Sequence, residues 1–278
     1  MTATPRLTSN HALDPFQKYL MTHNKSPNTI CVYRYAVEQF YHLYPQLTPR
    51  NLQLYKVYLL EHYRPQTVNL RIRALNCYME YRQASITPVS MIKIQQKTYL
   101  DKIISQADYE YLKRCLAESE EYTYYFIVRL ITATGVRISE LITFQIEDVH
   151  TGHKDISSKG NKMRRVYIPR GLVRELQEWL AATHRSTGPL FLNRFHSPIS
   201  PSGIRAQFKV FAARYGLDPE VVYPHSFRHR FAKNFIEKCG DISLLSDLLG
   251  HESIETTRIY LRRSSSEQYR IVNKVVDW

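Results

Sequence analysis

The 278-residue chain is 44% hydrophobic and carries 38 Lys+Arg against 25 Asp+Glu, a formal net charge of +13. That apolar content excludes a disordered tail, and no apolar run reaches the ~18–20 residues that cross a bilayer. The opening stretch, MTATPRLTSN, has no apolar block of signal-peptide type, so a soluble cytoplasmic protein of two compact domains is expected. The basic surplus makes nucleic acid the first partner to test. It is uneven: residues 1–100 hold 12 Lys+Arg and 4 Asp+Glu, and the remainder mixes 26 with 21. Cys31, Cys77, Cys115 and Cys239 match no CxxC or Cys/His metal spacing and read as reduced thiols, and no HExxH is present. No metal and no cofactor are expected.

In chain order, a short helix over about 14–21 comes first. Ser26-Pro27 then supplies a cap followed by proline at the first helical position. Ile30, Tyr33, Val37, Phe40, Tyr41 and Tyr44 recur at helical spacing until Pro45 ends the run. Thr48-Pro49 repeats the start signal, and Leu52, Tyr55, Leu59 and Tyr63 form a second stripe. Pro65 opens a helix whose buried face is Val68, Ile72, Leu75 and Met79. Arg71, Arg73 and Arg82 fall outside that stripe and are expected to face a partner. The reading is a small basic helical bundle over 11–85, followed by a linker over 86–100 that has no helical period.

From 101 to 278 a mixed α+β domain is expected. Helices are predicted from Ser105, over 122–134 up to Gly135, and over about 171–183, 201–215, 225–238, 242–249 and 253–262. Between 146 and 169 the segment KDISSKGNKMRRVYIP reads as two short antiparallel strands around a KGNK turn. A small amphipathic piece closes the chain. The fold class is therefore mainly α, with one small hairpin.

Four clusters in this second part can carry chemistry. ATGVRISEL places Arg137 at the start of a helix with Glu140 one turn on, where it can orient the guanidinium. SSKGNKMRR presents Lys159 and Lys162 on a turn, followed by Arg164 and Arg165. HSFRHRF sets His225 and Arg228 on one helical face, two kinds of donor for a phosphate. LLGHESIETTRIYLRR holds His251 in a turn after Gly250 and Tyr260 on the next helix. Each has an ordinary reading by itself: a surface ion pair, a solvated basic tip, a capping histidine, one tyrosine of 21.

Taken in order, Arg in TGVRISEL, Lys in a KGNK hairpin, HxxR, LLGH and then IY resemble the tyrosine recombinase, or phage integrase, family, in its Xer-like form. The resemblance covers roughly 100–278. It extends more loosely to the helical N-terminal part, which is similar to the family's SAM-like core-binding domain. It implies that Arg137 and Arg228 grip the phosphate, with His225 and His251 beside them. It also implies that Lys159 is the hairpin lysine, Tyr260 the nucleophile and Glu140 the support of the first arginine. Arg71, Arg73, Arg82, Lys162, Arg164 and Arg165 are candidates for further DNA contact. After Tyr260 this chain has Leu-Arg-Arg where many relatives have Thr or His. The residues between the N-terminus and the first helix are too few for an arm-binding domain.

The implied activity is site-specific recombination of double-stranded DNA at an inverted-repeat core site, through a 3′-phosphotyrosyl intermediate. Its implied assembly is a tetrameric synapse of this chain, or of this chain with a second recombinase, with two domains clamping the duplex. The alternatives are type IB topoisomerase-like relaxation and a non-catalytic DNA-binding regulator on the same fold. The side chains suit metal-free transesterification: arginines answer charge on the non-bridging oxygens, and a tyrosine of pKa ~10 needs help to lose its proton, which is expected from His225 and the arginine field. The 5′-oxygen needs an acid to leave.

Overall fold

The computed structural model describes residues 13–94, 102–157, 163–261, 269 and 272–276. The chain divides into two compact units, 1–96 and 97–278.

The N-terminal unit has four helices: α1 (Asp14–Thr22), α2 (Pro27–Leu43), α3 (Pro49–His62) and α4 (Pro65–Tyr81). The start signals act as their chemistry requires. The Ser26 hydroxyl accepts from the Thr29 amide and the Thr48 hydroxyl from the Asn51 amide. In both helices, and in α4, proline occupies the first turn, where no donor is lost. Ile30, Tyr33, Val37 and Phe40 meet Leu52, Tyr55 and Leu59, and Val68, Ile72, Leu75 and Met79, in one core.

The linker expected from residue 86 is corrected for its first part. Val89 is buried in this same core. The Asn76 side chain receives the Val89 amide and donates to its carbonyl, and Asn69 does the same for Ile92. Two asparagines thus satisfy an extended backbone that has no sheet partner. A search for helical periodicity does not register pairing of that kind.

The C-terminal unit contains α5 (Gln106–Glu118), α6 (Tyr122–Thr134), α7 (Ile138–Leu141), α8 (Ile146–Thr151), strands β1 (His153–Ser157) and β2 (Met163–Tyr167), α9 (Arg170–Ala182), α10 (Pro201–Arg214), α11 (Pro224–Cys239), α12 (Ile242–Leu249), α13 (Ile254–Thr257) and a 3-10 turn, Arg258–Leu261. Phe126, Ile127, Val128, Leu130 and Ile131 of α6 are all buried, so this helix lies inside the core rather than on it. Its one interruption, Arg129, forms a two-pronged pair with Glu175 of α9 at 2.7 and 2.8 Å. β1 and β2 are antiparallel, with His153 opposite Tyr167 and Ser157 opposite Met163. Ile156 and Val166 point inward.

Two expectations are adjusted. Residues 146–151, within the 146–169 span where only the hairpin was expected, form α8, whose Asp148 carboxylate accepts the Gln145 amide. The helix expected over 253–262 is a single α turn followed by 3-10 geometry. The KGNK turn, and with it Lys159 and Lys162, lies outside the described residues, as does most of the C-terminal piece.

Candidate active site

The site grows from the end of α6. Gly135 closes that helix at φ +67°, and a Cβ there would sit 2.4 Å from the Phe231 ring and 2.9 Å from Leu249. Only glycine lets the chain turn in this space. Two residues later Arg137 begins α7. Its Nη1 donates to Glu140 Oε1 at 2.9 Å, its backbone amide to Oε2 at 2.7 Å, and its Nη2 to the Gly250 carbonyl at 3.1 Å.

Glu140 is shared. Arg164 of β2 donates Nη1 and Nη2 to its two oxygens at 3.0 and 2.8 Å, and Nε to the Leu248 carbonyl at 3.1 Å. Burial by itself would raise the Glu140 pKa. The Arg164 bonds, then the Arg137 amide and guanidinium, outweigh it and hold the carboxyl at about 2. Arg164 therefore departs from the DNA-contact role expected of it. Its side chain is 9% exposed, and it ties the hairpin to Glu140 and to the α12 terminus. Gly250, at φ +61°, makes room for it, since a Cβ there would lie 2.7 Å from the Arg164 guanidinium.

Arg228, on α11, is 4% exposed. It donates Nη1 to the Gly135 carbonyl at 2.5 Å and Nη2 to the Leu249 carbonyl at 2.8 Å, with His251 Nε2 at 3.1 Å. Burial, then Arg137, lowers its pKa to about 10, which leaves it charged at neutral pH. A guanidinium only donates, so the facing His251 Nε2 is the acceptor. The His251 proton then sits on Nδ1 and donates to Thr257 Oγ1 at 2.8 Å. Burial, then Arg228, Arg137 and Arg164, drops the His251 pKa to about 4. His225 stands at the surface on the first turn of α11, its pKa lowered by partial burial and then by Arg228, Arg205 and Arg137.

Tyr260 lies in the 3-10 turn, 9% exposed, in a small cluster with Ala232, Ile236, Leu245 and Leu249. Burial pushes its pKa up to about 12 against the pull of Arg228. Its hydroxyl is 2.6 Å from Nδ1 of His229. The sequence reading passed over His229, although it is four residues from His225 and so on the same helical face, and directly follows Arg228. A cleft of about 770 Å³ opens beside the arginines, lined by Arg137, Glu140, Lys154, Ser157, His251 and Thr256. Among the described residues no group of three His, Cys, Asp or Glu side chains is placed to hold a metal ion.

Of the other expected DNA contacts, Arg71 is corrected. It is buried, with its guanidinium 4.0 Å over the Tyr63 ring and 5.1 Å from that of Tyr35, and its Nη1 has no acceptor among the described residues. Two aromatic faces stand where an anion would otherwise be needed. Arg73 and Arg82 are exposed. Arg165 is exposed but pairs across the hairpin with Asp155 at 2.7 and 2.8 Å.

The sequence profile of the phage integrase family matches residues 90–267. A tyrosine recombinase XerA of Pyrococcus horikoshii is 26% identical over 96% of this chain and 94% of its own length. A tyrosine recombinase XerC of Lactobacillus delbrueckii subsp. bulgaricus is 28% identical over 89% and 92%. Among solved structures, XerA recombinase superposes with a TM-score of 0.54 at 24% identity, covering 95% of this chain and 98% of that one. XerH bound to a palindromic difH substrate gives 0.72 at 21%, covering 97% and 85%. With the family's pattern spanning more than half of its length, this chain belongs to the phage integrase family.

Proposed function

We propose that this protein is a site-specific DNA recombinase that cleaves and rejoins DNA strands through a 3′-phosphotyrosyl bond to Tyr260. The observation that carries this reading is the convergence of Arg137, Arg228 and His251, from three separate segments, on the turns at Gly135 and Gly250, with Tyr260 packed on the helix that bears Arg228.

The charges suit a phosphodiester. Arg137, Arg164 and Arg228 bring three positive charges and Glu140 one negative, a net of +2. The attacked phosphate passes from one negative charge towards two. Donors fixed in advance by carbonyls and a carboxylate need little rearrangement to meet that change. Glu140 and the carbonyls of Gly135, Leu249 and Gly250 also keep mutually repelling guanidinium groups close together. In this reading the Tyr260 oxygen attacks phosphorus and the 5′-oxygen departs with a proton from Lys159. His225 and His251 assist at the phosphate, and the phosphotyrosyl ester conserves the bond energy for religation. The basic N-terminal unit supplies further phosphate contact through Arg73 and Arg82. The substrate is double-stranded DNA at an inverted-repeat core, with several copies of the chain acting together. No described helix is long and apolar enough to cross a membrane.

The deciding experiment maps covalent protein–DNA junctions in host DNA. The expected result is a few fixed positions, each joined through a 3′-phosphate to the peptide that contains Tyr260. Junctions scattered without a common sequence, together with relaxation of any supercoiled plasmid, would favour a topoisomerase. Binding without any adduct would favour a regulator.

A further inference from the structure

The Tyr260 hydroxyl has one hydrogen-bond partner among the described residues, and it is neither His225 nor His251 but Nδ1 of His229, at 2.6 Å. The two rings are tilted, with centroids 5.7 Å apart. We propose that His229 is a catalytic residue: it accepts the Tyr260 proton during strand cleavage and returns it during religation. This rests on Tyr260 being the nucleophile, as argued above.

Both partners of the bond are neutral in these surroundings. Burial keeps the phenol protonated. Burial, followed by His225 and Arg228, keeps the His229 imidazole neutral, with a pKa near 4. A neutral imidazole carries its proton on one nitrogen; with that proton on Nε2, Nδ1 accepts from the phenol, and this is the tautomer the transfer uses. The titratable and charged groups that bear on the pair are Arg228 and His225 of α11, His251 after α12, and Tyr223 before α11. None is a carboxylate, and among the described residues Nδ1 of His229 is the one group within hydrogen-bond distance of the Tyr260 hydroxyl.

When a phosphate occupies the arginines, its negative charge favours an imidazolium nearby. As the Tyr260 oxygen bonds to phosphorus, its proton passes to Nδ1 of His229. The bond from phosphorus to the 5′-oxygen breaks, and that oxygen leaves as a hydroxyl with the proton of the general acid. In religation the incoming 5′-hydroxyl attacks the phosphotyrosyl ester and returns its proton to the general acid, the phenolate leaves, and the imidazolium hands its proton back. His225, at the surface on the turn before, remains free to meet the phosphate.

The test uses the full chain and a nicked duplex carrying the junction sequence recovered from host DNA. His229→Asn keeps a polar side chain near the phenol but cannot take a proton; His229→Ala removes the contact altogether. Duplex affinity should stay within about twofold of the parent, and adduct formation at neutral pH should slow on the order of 10²-fold. Placing 3,5-difluorotyrosine at position 260 lowers the phenol's pKa and should restore most of the rate in both variants, as should raising the pH. A merely structural role would respond to neither. Unchanged or faster cleavage in the variants overturns the proposal, because the bond would then store the hydroxyl rather than activate it. Slow cleavage without relief by fluorination overturns it too, as does loss of duplex binding in both variants. A parent protein that binds the duplex yet forms no adduct refutes instead the nucleophile reading on which the proposal rests.

Discussion

The arginine side and the tyrosine side of this site are built in opposite ways. Arg137, Arg164 and Arg228 are each held by at least two bonds to groups that cannot easily move, namely the Glu140 carboxylate and the carbonyls of Gly135, Leu248, Leu249 and Gly250. Tyr260 sits in a short 3-10 turn, and among the described residues its hydroxyl has one bond, to a neutral imidazole. The difference matches the two tasks proposed for them. Stabilising a developing charge works best with donors fixed before the reaction, whereas a nucleophile must advance on phosphorus and later withdraw.

The comparison breaks most sharply at the tyrosine. Tyr260→Phe removes only the hydroxyl, so duplex binding should persist while covalent adduct on a nicked substrate disappears. An adduct of undiminished yield would mean that another residue attacks. On the arginine side, Arg228→Ala should slow cleavage on the order of 10³-fold. Arg228→Lys should recover little of this, since one ammonium cannot reproduce a fork between the Gly135 and Leu249 carbonyls. Single-turnover rates at saturating protein would measure both.

Lys159 sharpens the contrast between stabilising charge and moving protons. Lys159→Ala should cleave ordinary DNA on the order of 10²-fold slower and recover on a 5′-phosphorothiolate, whose sulfur leaves without a proton. Arg137→Ala should not recover equally, because both substrates need its charge. Lys162→Ala should affect chemistry less. Sulfur rescue of Lys162→Ala but not Lys159→Ala would move the acid three residues along the turn.

Glu140 gives the arginine side a pH signature in stability. Its carboxyl falls from the usual 4.5 to about 2 in the fold, which corresponds to about 3 kcal/mol. That contribution is fully present above the unfolded pKa and is lost as pH falls from about 4.5 towards 2. Glu140→Gln should flatten the acid limb of the denaturation profile over this window, and an unaltered limb would deny the carboxylate its structural share. The smallest effect expected is that of a chelator: with arginines doing the electrostatic work, excess EDTA should leave cleavage unchanged. Loss restored by one divalent ion would point to a metal-dependent reaction.

Much of this was legible in the chain itself. Capping residues with proline announce α2 and α3, proline announces α4, and apolar spacing marks their buried faces, because these signals act over a few residues. The ordered motifs around Arg137, His225, Arg228, His251 and Tyr260 likewise lie within short windows. Tertiary structure alone decided which cations are available. Arg71 and Arg164 look like any surface arginine in the sequence, yet one is stacked on Tyr63 and the other clasps a glutamate 24 residues away. It also decided that Asn69 and Asn76 fasten the segment after α4, and that His229 rather than His225 meets the Tyr260 hydroxyl across 31 residues. Local sequence determines which helices form and which face they bury. Whether a polar side chain meets solvent, a carboxylate or a phenol depends on what packing brings to it from elsewhere in the chain.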